Sequence, residues 1–306
     1  GVKSTLQSEI CNPLFHTSIS NKEIEILEFL KSIYNGKIVT SDRNILNGLE
    51  IDIYLPEINL AIEFDGLYWH NELHKENNYH LNKTLLCEKE RIQLIHIFED
   101  EWIYKKEIIK SILRNKLRLI KEKNYARKTI VKEIDAKTAK NFMNNNHIQG
   151  YSNSSVKIGL FYENKLVSVM LFTKNVTGGR ISFNGYELSR FANIINTNVI
   201  GGASKLLNYF EKKYKPIEIR SYADKRWFDG NMYEKLEFKQ THINKPSYWY
   251  VVGDKRKHKS LFTKKKIRHQ GFNIENKTEH EIMLERKIYR IYDCGTISFS
   301  KKYKKD

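Results

Sequence analysis

The sequence of 306 residues holds only three cysteines, Cys11, Cys87 and Cys294, and no two of them form a CxxC pair. That scarcity excludes a zinc ribbon and a disulfide-stapled secreted scaffold, and a reducing compartment fits it best. Four prolines and fifteen glycines exclude fibrous and low-complexity classes. No apolar run approaches the ~20 residues that cross a bilayer, and the polar start, Gly1 to Glu9, carries no signal-peptide core. The expectation is a protein without membrane spans that is not secreted.

What is abundant is positive charge. Lysine and arginine number 53 against 36 acids, a formal net charge of +17. Apolar residues at 40% and aromatics at 12% suffice for packed cores, and the length suits about two domains. A basic excess of this size favours a polyanion partner, most simply nucleic acid. It is concentrated toward the end. Gly253 to Asp306 carries 16 Lys/Arg against 7 Asp/Glu. Within that stretch Lys255, Arg256, Lys257, Lys259, Lys264, Lys265, Lys266 and Arg268 form one cluster, with Asp254 its single acid. Such density suits neutralisation of a phosphate backbone, so these eight are the candidate DNA-binding residues; a merely solvated face is the competing reading.

Patterning predicts an α/β chain. Ser20 and Glu23 form a capping-box signal before Ile24, Leu27, Leu30 and Ile33 at helical spacing. Glu50 to Leu55 alternates as a strand, and Pro56 to Ile58 turns it into a second strand, Asn59 to Phe64. A polar helix over Asn78 to Arg91, a buried strand over Gln93 to Phe98 and an amphipathic helix over Glu101 to Lys121 follow. The charged stretch Glu122 to Lys128 reads as a linker. Beyond it lie strands at Ser155 to Tyr162, Leu166 to Thr173, Arg180 to Phe183, Glu187 to Ala192, Glu218 to Tyr222 and Tyr248 to Val252. Helices are expected at Lys137 to Asn144 and Ser204 to Lys213. The expected domains are 1–122, 123–252 and a basic extension, 253–306.

The chemistry-bearing cluster is acidic. The hairpin can gather Asp52, Glu63 and Asp65 at one end of a sheet, where a hard cation, Mg²⁺ or Mn²⁺, would relieve their repulsion. Ordinary exposed strand-face acids are the alternative. Glu63 argues against that, because it interrupts the otherwise buried run Ala61-Ile62-Glu63-Phe64 and an unpartnered buried carboxylate is costly. His70 follows the acidic strand end by five residues, where a neutral imidazole could take a proton from metal-bound water. His74, His80 and Lys83 cluster nearby.

The run LEIDIYLPEINLAIEFDGLYWH, Leu49 to His70, resembles the core motif of the very-short-patch-repair (Vsr) endonuclease fold, a branch of the PD-(D/E)xK nucleases. It is most similar to phage-borne homing endonucleases with an EDxHD active-site pattern. The resemblance covers about residues 18 to 115, with YHLNKT (Tyr79 to Thr84) and LIHIFEDEW (Leu94 to Trp102) following the same pattern. It implies that Asp52 holds Mg²⁺ with Glu63 or Asp65, that His70 is the general base, and that Glu23 (or Glu25) is the helix glutamate. Lys83 or His80 would neutralise developing phosphorane charge. Leu67 stands where the repair enzymes carry a zinc-ligating cysteine, so their structural zinc is not expected. Phe64 replaces a threonine that contributes its backbone to the metal.

Farther on, Glu187-Leu188-Ser189-Arg190-Phe191 leads through Ile200-Gly201-Gly202-Ala203-Ser204-Lys205-Leu206-Leu207, which resembles the strand and pyrophosphate loop of the GNAT acyltransferase superfamily. The resemblance implies a GNAT-like α+β domain. The loop is short and lacks an Arg or Gln at its start, so no cofactor-binding residue is assigned and its helix N-terminus, near Lys205, is expected to face DNA. The combined expectation is a Vsr-like restriction-endonuclease fold, a GNAT-like domain and a basic extension: a Mg²⁺-dependent endonuclease of double-stranded DNA. Its compartment would be the cytoplasm, the host's if phage-encoded. The alternatives are an acetyltransferase-like modifier of nucleic acid and a catalytically inactive DNA-binding protein.

Overall fold

The computed structural model describes residues 20–174, 185–272 and 274–303, in two units, residues 1–35 and 36–306. The strand expected over Arg180 to Phe183 lies outside the described residues, as does Cys11. The first unit contributes α1 (Asn21–Ile33). Ser20 caps it: its Oγ accepts the backbone N–H groups of Lys22 at 3.2 Å and Glu23 at 3.4 Å. Glu23 therefore sits in the first turn, where the helix dipole favours a carboxylate. The buried positions are Ile26 and Leu30, whereas Ile24, expected on the apolar row, is exposed.

The second unit opens with a four-stranded sheet in the order β1 (Val39–Leu46), β2 (Leu49–Leu55), β3 (Leu60–Asp65), β4 (Gln93–Phe98). β2 and β3 form the expected antiparallel hairpin, with Ile53 opposite Ile62. The turn closes through left-handed Asn59, a conformation asparagine tolerates. β4 runs parallel to β3, which requires a crossover, and α2 (Tyr79–Lys89) supplies it. Flanked on both edges and covered by the crossover, β3 is buried at all six residues, acids included. α3 (Glu99–Lys116) leaves β4 directly. The charged stretch read as a linker holds β5 (Glu122–Tyr125).

The larger sheet has the strand order β12-β16-β11-β9-β8-β7-β6. Its members are β6 (Ile130–Glu133), β7 (Val156–Tyr162), β8 (Lys165–Lys174), β9 (Tyr186–Asn193), β11 (Glu218–Asp224), β12 (Lys239–Ile243) and β16 (Thr296–Lys302). Two helices cover opposite faces. α4 (Ala136–Asn146) buries Ala139, Phe142 and Met143 against Val169, Leu171 and Ala192. α5 (Gly202–Tyr214) buries Leu206, Leu207 and Phe210 against Ile158, Met170 and Phe172. β10 (Thr197–Ile200) precedes α5 and pairs in parallel with β5. α6 (Asn231–Lys235) leads to β12. β16 belongs by sequence to the basic extension, yet it lies between β12 and β11 inside this sheet.

The rest of the extension joins β13 (Tyr248–Val252), from the stretch before it, in a small sheet ordered β14 (Lys255–His258), β13, β15 (Arg290–Tyr292). The short helices α7 (Lys264–His269) and α8 (Glu279–Glu285) bury Ile267, Ile282 and Met283 against Tyr250. No helix among the described residues is long and apolar enough to cross a membrane.

One buried ionic knot joins the parts of the second unit. Glu101 on α3 accepts the Arg226 guanidinium at 3.0 and 3.1 Å and pairs with Arg256 at 2.7 Å. Arg226 also pairs with Asp224 at the end of β11, and Arg256 with Asp100, each at 2.8 Å. Burial opposes ionisation of Glu101, but the two guanidiniums hold its carboxyl below the ordinary range. Arg226→Ala should therefore leave buried carboxylates uncompensated and cost about 3–5 kcal/mol, read as a lowered urea midpoint with unchanged slope.

Candidate functional sites: a histidine pocket and a splayed cleft

Parallel pairing sets Glu63 of β3 opposite His96 of β4, and Asp65, two residues on, shares their face. α2 crosses over that face and buries His80, Lys83 and Thr84, residues at i, i+3 and i+4. Asp65 is fully buried at the centre. Its Oδ1 lies 3.1 Å from His70 Nδ1 and 3.4 Å from His80 Nε2, and its Oδ2 lies 3.0 Å from His96 Nδ1. His70 Nδ1 and His80 Nε2 are 2.9 Å apart. On its far side, His96 Nε2 meets Thr84 Oγ1 at 3.0 Å, and that hydroxyl also meets Cys294 Sγ at 3.3 Å. Burial opposes ionisation of Asp65, yet the three imidazoles hold its carboxyl well below its usual range. Burial pushes His96 the other way and favours its neutral form.

The other two acids of the expected cation cage are engaged differently. Glu63 pairs with the Lys83 ammonium inside the core. Loss of water favours neutral Lys83, but the adjacent Glu63 carboxylate holds the ammonium well above its ordinary range. Asp52 Oδ2 accepts the Phe64 N–H at 2.8 Å. The hairpin thus does bring Asp52, Glu63 and Asp65 to one region, but each oxygen cluster faces a nitrogen donor. Glu23 lies on α1 in the first unit. Among the described residues, ligand atoms of Asp65, His80 and His96 lie within 4.8 Å of one another, and His70 Nδ1 lies closer still to the first two. Sequence reasoning missed His96 and Thr84; a histidine inside the apolar run QLIHIF is the same signal that singled out Glu63.

The basic cluster divides. Lys264, Lys265, Lys266 and Arg268 are exposed on α7. Arg256 points inward to Asp100 and Glu101. Lys259 Nζ donates to Ser247 Oγ at 3.0 Å, and Lys255 Nζ stacks 4.1 Å from the centre of the Tyr104 ring. Lys257 is half-buried on β14. Lys205, expected near DNA, donates instead to the Ala126 and Thr129 carbonyls.

A second site lies in the larger sheet. β9 and β11 are its one parallel pair among the described residues, and they bond only at Tyr186–Ile219 and Glu187–Arg220. Beyond those pairs the strands part, and a cleft of ≈ 510 Å³ opens. Ser189, Arg190 and Asn193 of β9, Tyr222 and Asp224 of β11, Tyr233 of α6 and His147 line it, with Ser111, Asn115 and Lys116 of α3 as a further wall. A β-bulge against β8, where Leu171 faces Arg190 and Phe172 faces Leu188, leaves Ser189 as the extra residue. Burial raises the Tyr233 hydroxyl, so it stays protonated at neutral pH.

No protein-family model matches the sequence, and no curated protein matches it. Solved structures are similar. A Bacillus subtilis acetyltransferase in complex with CoA is 13% identical, covers 58% of this chain and 100% of its own, at a TM-score of 0.35. The ribosomal-protein-S18-alanine N-acetyltransferase of Escherichia coli is 10% identical over 58% of this chain and 96% of its own, at 0.36. An Elizabethkingia anophelis GNAT family acetyltransferase with acetyl-CoA bound gives 13%, 57%, 99% and 0.34. At these scores the likeness carries no activity to this chain.

Two findings correct the endonuclease expectation and its Mg²⁺. The three similar solved structures are acetyltransferases, two of them with CoA or acetyl-CoA, and none is a nuclease. The all-oxygen cage that Mg²⁺ prefers is also not built, because imidazoles surround Asp65 and Lys83 neutralises Glu63.

His147 makes the cleft sensitive to acid. Withdrawal from water, then the charges of Arg190 and Lys105, lower its pKa from 6.5 to about 3. A base whose folded pKa is depressed contributes stability above pH 6.5 that is lost as pH falls toward 3, since only the unfolded chain then gains the proton. His147→Gln should flatten the fall in melting temperature between pH 6.5 and 4 while the wild type declines.

Proposed function

We propose that the protein is an acetyltransferase-like modifier of nucleic acid that takes an acyl-coenzyme A in the cleft between β9 and β11. The parting of these two parallel strands carries the reading. Where they separate, backbone N–H and C=O groups on the facing edges lose their strand partners, and an extended pantetheine arm presents amides of matching chemistry. Gly201-Gly202-Ala203 opens α5, whose N-terminal N–H groups and dipole suit a pyrophosphate. Gly201 has φ +77°, and a Cβ at Gly202 would meet Val199 Cγ1 at 2.9 Å, so both glycines answer to local geometry. In the transfer step a substrate amine or hydroxyl bonds to the acyl carbon and the C–S bond breaks. The departing sulfur takes the Tyr233 proton, the proton of the nucleophile passes to solvent, and the Tyr233 phenolate regains a proton from solvent before the next turnover.

Double-stranded DNA is the proposed partner. The net charge of +17 and the exposed Lys264, Lys265, Lys266 and Arg268 on α7 support it.

Acetyl-CoA at 100 times its Kd should stabilise the chain by about 2.7 kcal/mol, visible as a thermal shift. Gly202→Glu should abolish the shift, and Tyr233→Phe should keep it while slowing transfer to DNA ~10²–10⁴-fold. No shift with any acyl-CoA would overturn the reading. For DNA, reversing Lys264, Lys265 and Lys266 to Glu should flatten the slope of log K against log salt by up to about three units. An unchanged slope would make α7 a solvated surface.

A further inference from the structure

The histidine pocket is not used by the proposed transfer. We propose that Asp65, His70 and His80 form a binding site for one divalent transition cation of the zinc class. Three atoms carry the proposal: Asp65 Oδ1, His70 Nδ1 and His80 Nε2, separated from one another by 2.9, 3.1 and 3.4 Å. Nitrogen and oxygen ligands about 2.0–2.2 Å from a zinc ion, at angles from about 90° to tetrahedral, stand roughly 2.8–3.6 Å apart. The side chains already hold the spacing of three ligands on one ion.

Hydrogen bonding alone does not satisfy this cluster. Asp65 Oδ1 and His80 Nδ1 are both buried without a hydrogen-bond partner. If neutral His80 carries its proton on Nδ1, that proton is buried unbonded and the Nε2 lone pair faces the Asp65 carboxylate. If it carries the proton on Nε2, the Nδ1 lone pair is bare. A buried polar atom left unpaired costs about 1–3 kcal/mol, so native folds rarely keep one without a reason. A cation among the three atoms takes the lone pairs of Asp65 Oδ1, His70 Nδ1 and His80 Nε2 together, so the buried Asp65 oxygen gains the partner it lacks, and the proton of neutral His80 is fixed on Nδ1.

The surroundings fit that role. His96 holds the second oxygen of Asp65 at 3.0 Å and is itself held by Thr84, the outer layer that orients a ligating carboxylate. Two imidazoles and one carboxylate suit zinc, cobalt or nickel and discriminate against magnesium. His70 is the ligand with some exposure, 13% of its side chain, so it leaves an entry path and room for a water as fourth ligand. The donor set differs from the cysteine site excluded at Leu67. The ion would tie the end of β3, the loop carrying His70 and the start of α2 into one cross-link.

The test uses the full chain after chelator treatment. Co²⁺ should develop visible d–d bands at one equivalent, and Zn²⁺ should compete for the site and raise the melting temperature. X-ray absorption on the wild-type zinc form should show two imidazole nitrogens, a reading that needs no variant. His70→Gln should weaken Zn²⁺ binding at least ~100-fold by calorimetry, with the far-ultraviolet circular dichroism of the wild type. His74→Gln, an exposed histidine nearby, should leave it unchanged. Wild-type protein that binds neither ion at tens of micromolar, or equal affinity in the two variants, would overturn the proposal.

Discussion

The second unit depends on one buried carboxylate, Glu101. It sits on the helix that leaves the four-stranded sheet, and it is claimed at once by Arg226, just past β11, and by Arg256, on β14. Each guanidinium has a second carboxylate, Asp224 for Arg226 and Asp100 for Arg256, but Glu101 is the one they share, and it could not be buried charged without them. Both guanidiniums come from segments more than 100 residues beyond Glu101. The packed arrangement is therefore all or nothing: each charge makes the burial of the others tolerable, and loss of one strands the rest in low dielectric. Apolar contacts along the same seam, Leu67, Phe98 and Ile291, add area but no such direction.

The same logic of mutual dependence governs β3. A strand with neighbours on both edges and a helix across one face leaves its acids no route to water. Glu63 is compensated by Lys83, and Asp65 by three imidazoles, two brought by the chain after β3 and one by β4. The pocket is consequently rich in nitrogen. That is why the oxygen-ligated magnesium expected from three acids gives way to a site of different chemistry.

The cleft between β9 and β11 arises from a different constraint. Parallel strands that pair for two residues and then diverge leave a cleft past the point where Ser221 of β11 still donates its hydroxyl to the Leu188 carbonyl of β9 at 2.7 Å. α3, from the part of the chain that bears the histidine pocket, supplies one wall. α3 continues directly from β4, the strand that carries His96, and the knot at Glu101 lies at its N-terminal end.

Local pattern determined a good deal. The alternation in EIDIYL, the Pro56 turn and the run NLAIEF specify the β2–β3 hairpin, because side-chain period and turn chemistry are local properties. Ser20 and Glu23 specify the start of α1 for the same reason. The anomalous acid in Ala61-Ile62-Glu63-Phe64 announced a buried charge, and the histidine in QLIHIF carried an equal signal. Only tertiary structure decided what those groups meet. Whether Glu63 finds a cation or Lys83 depends on how α2 lies over β3, and the fate of Arg256 depends on a helix about 150 residues upstream. β16 looks like part of a basic tail, yet it pairs antiparallel with β11 on one edge and β12 on the other. Composition reports how much charge a chain carries; which charges face water is set by long-range packing, because desolvation acts on atoms brought together in space and not on neighbours in sequence.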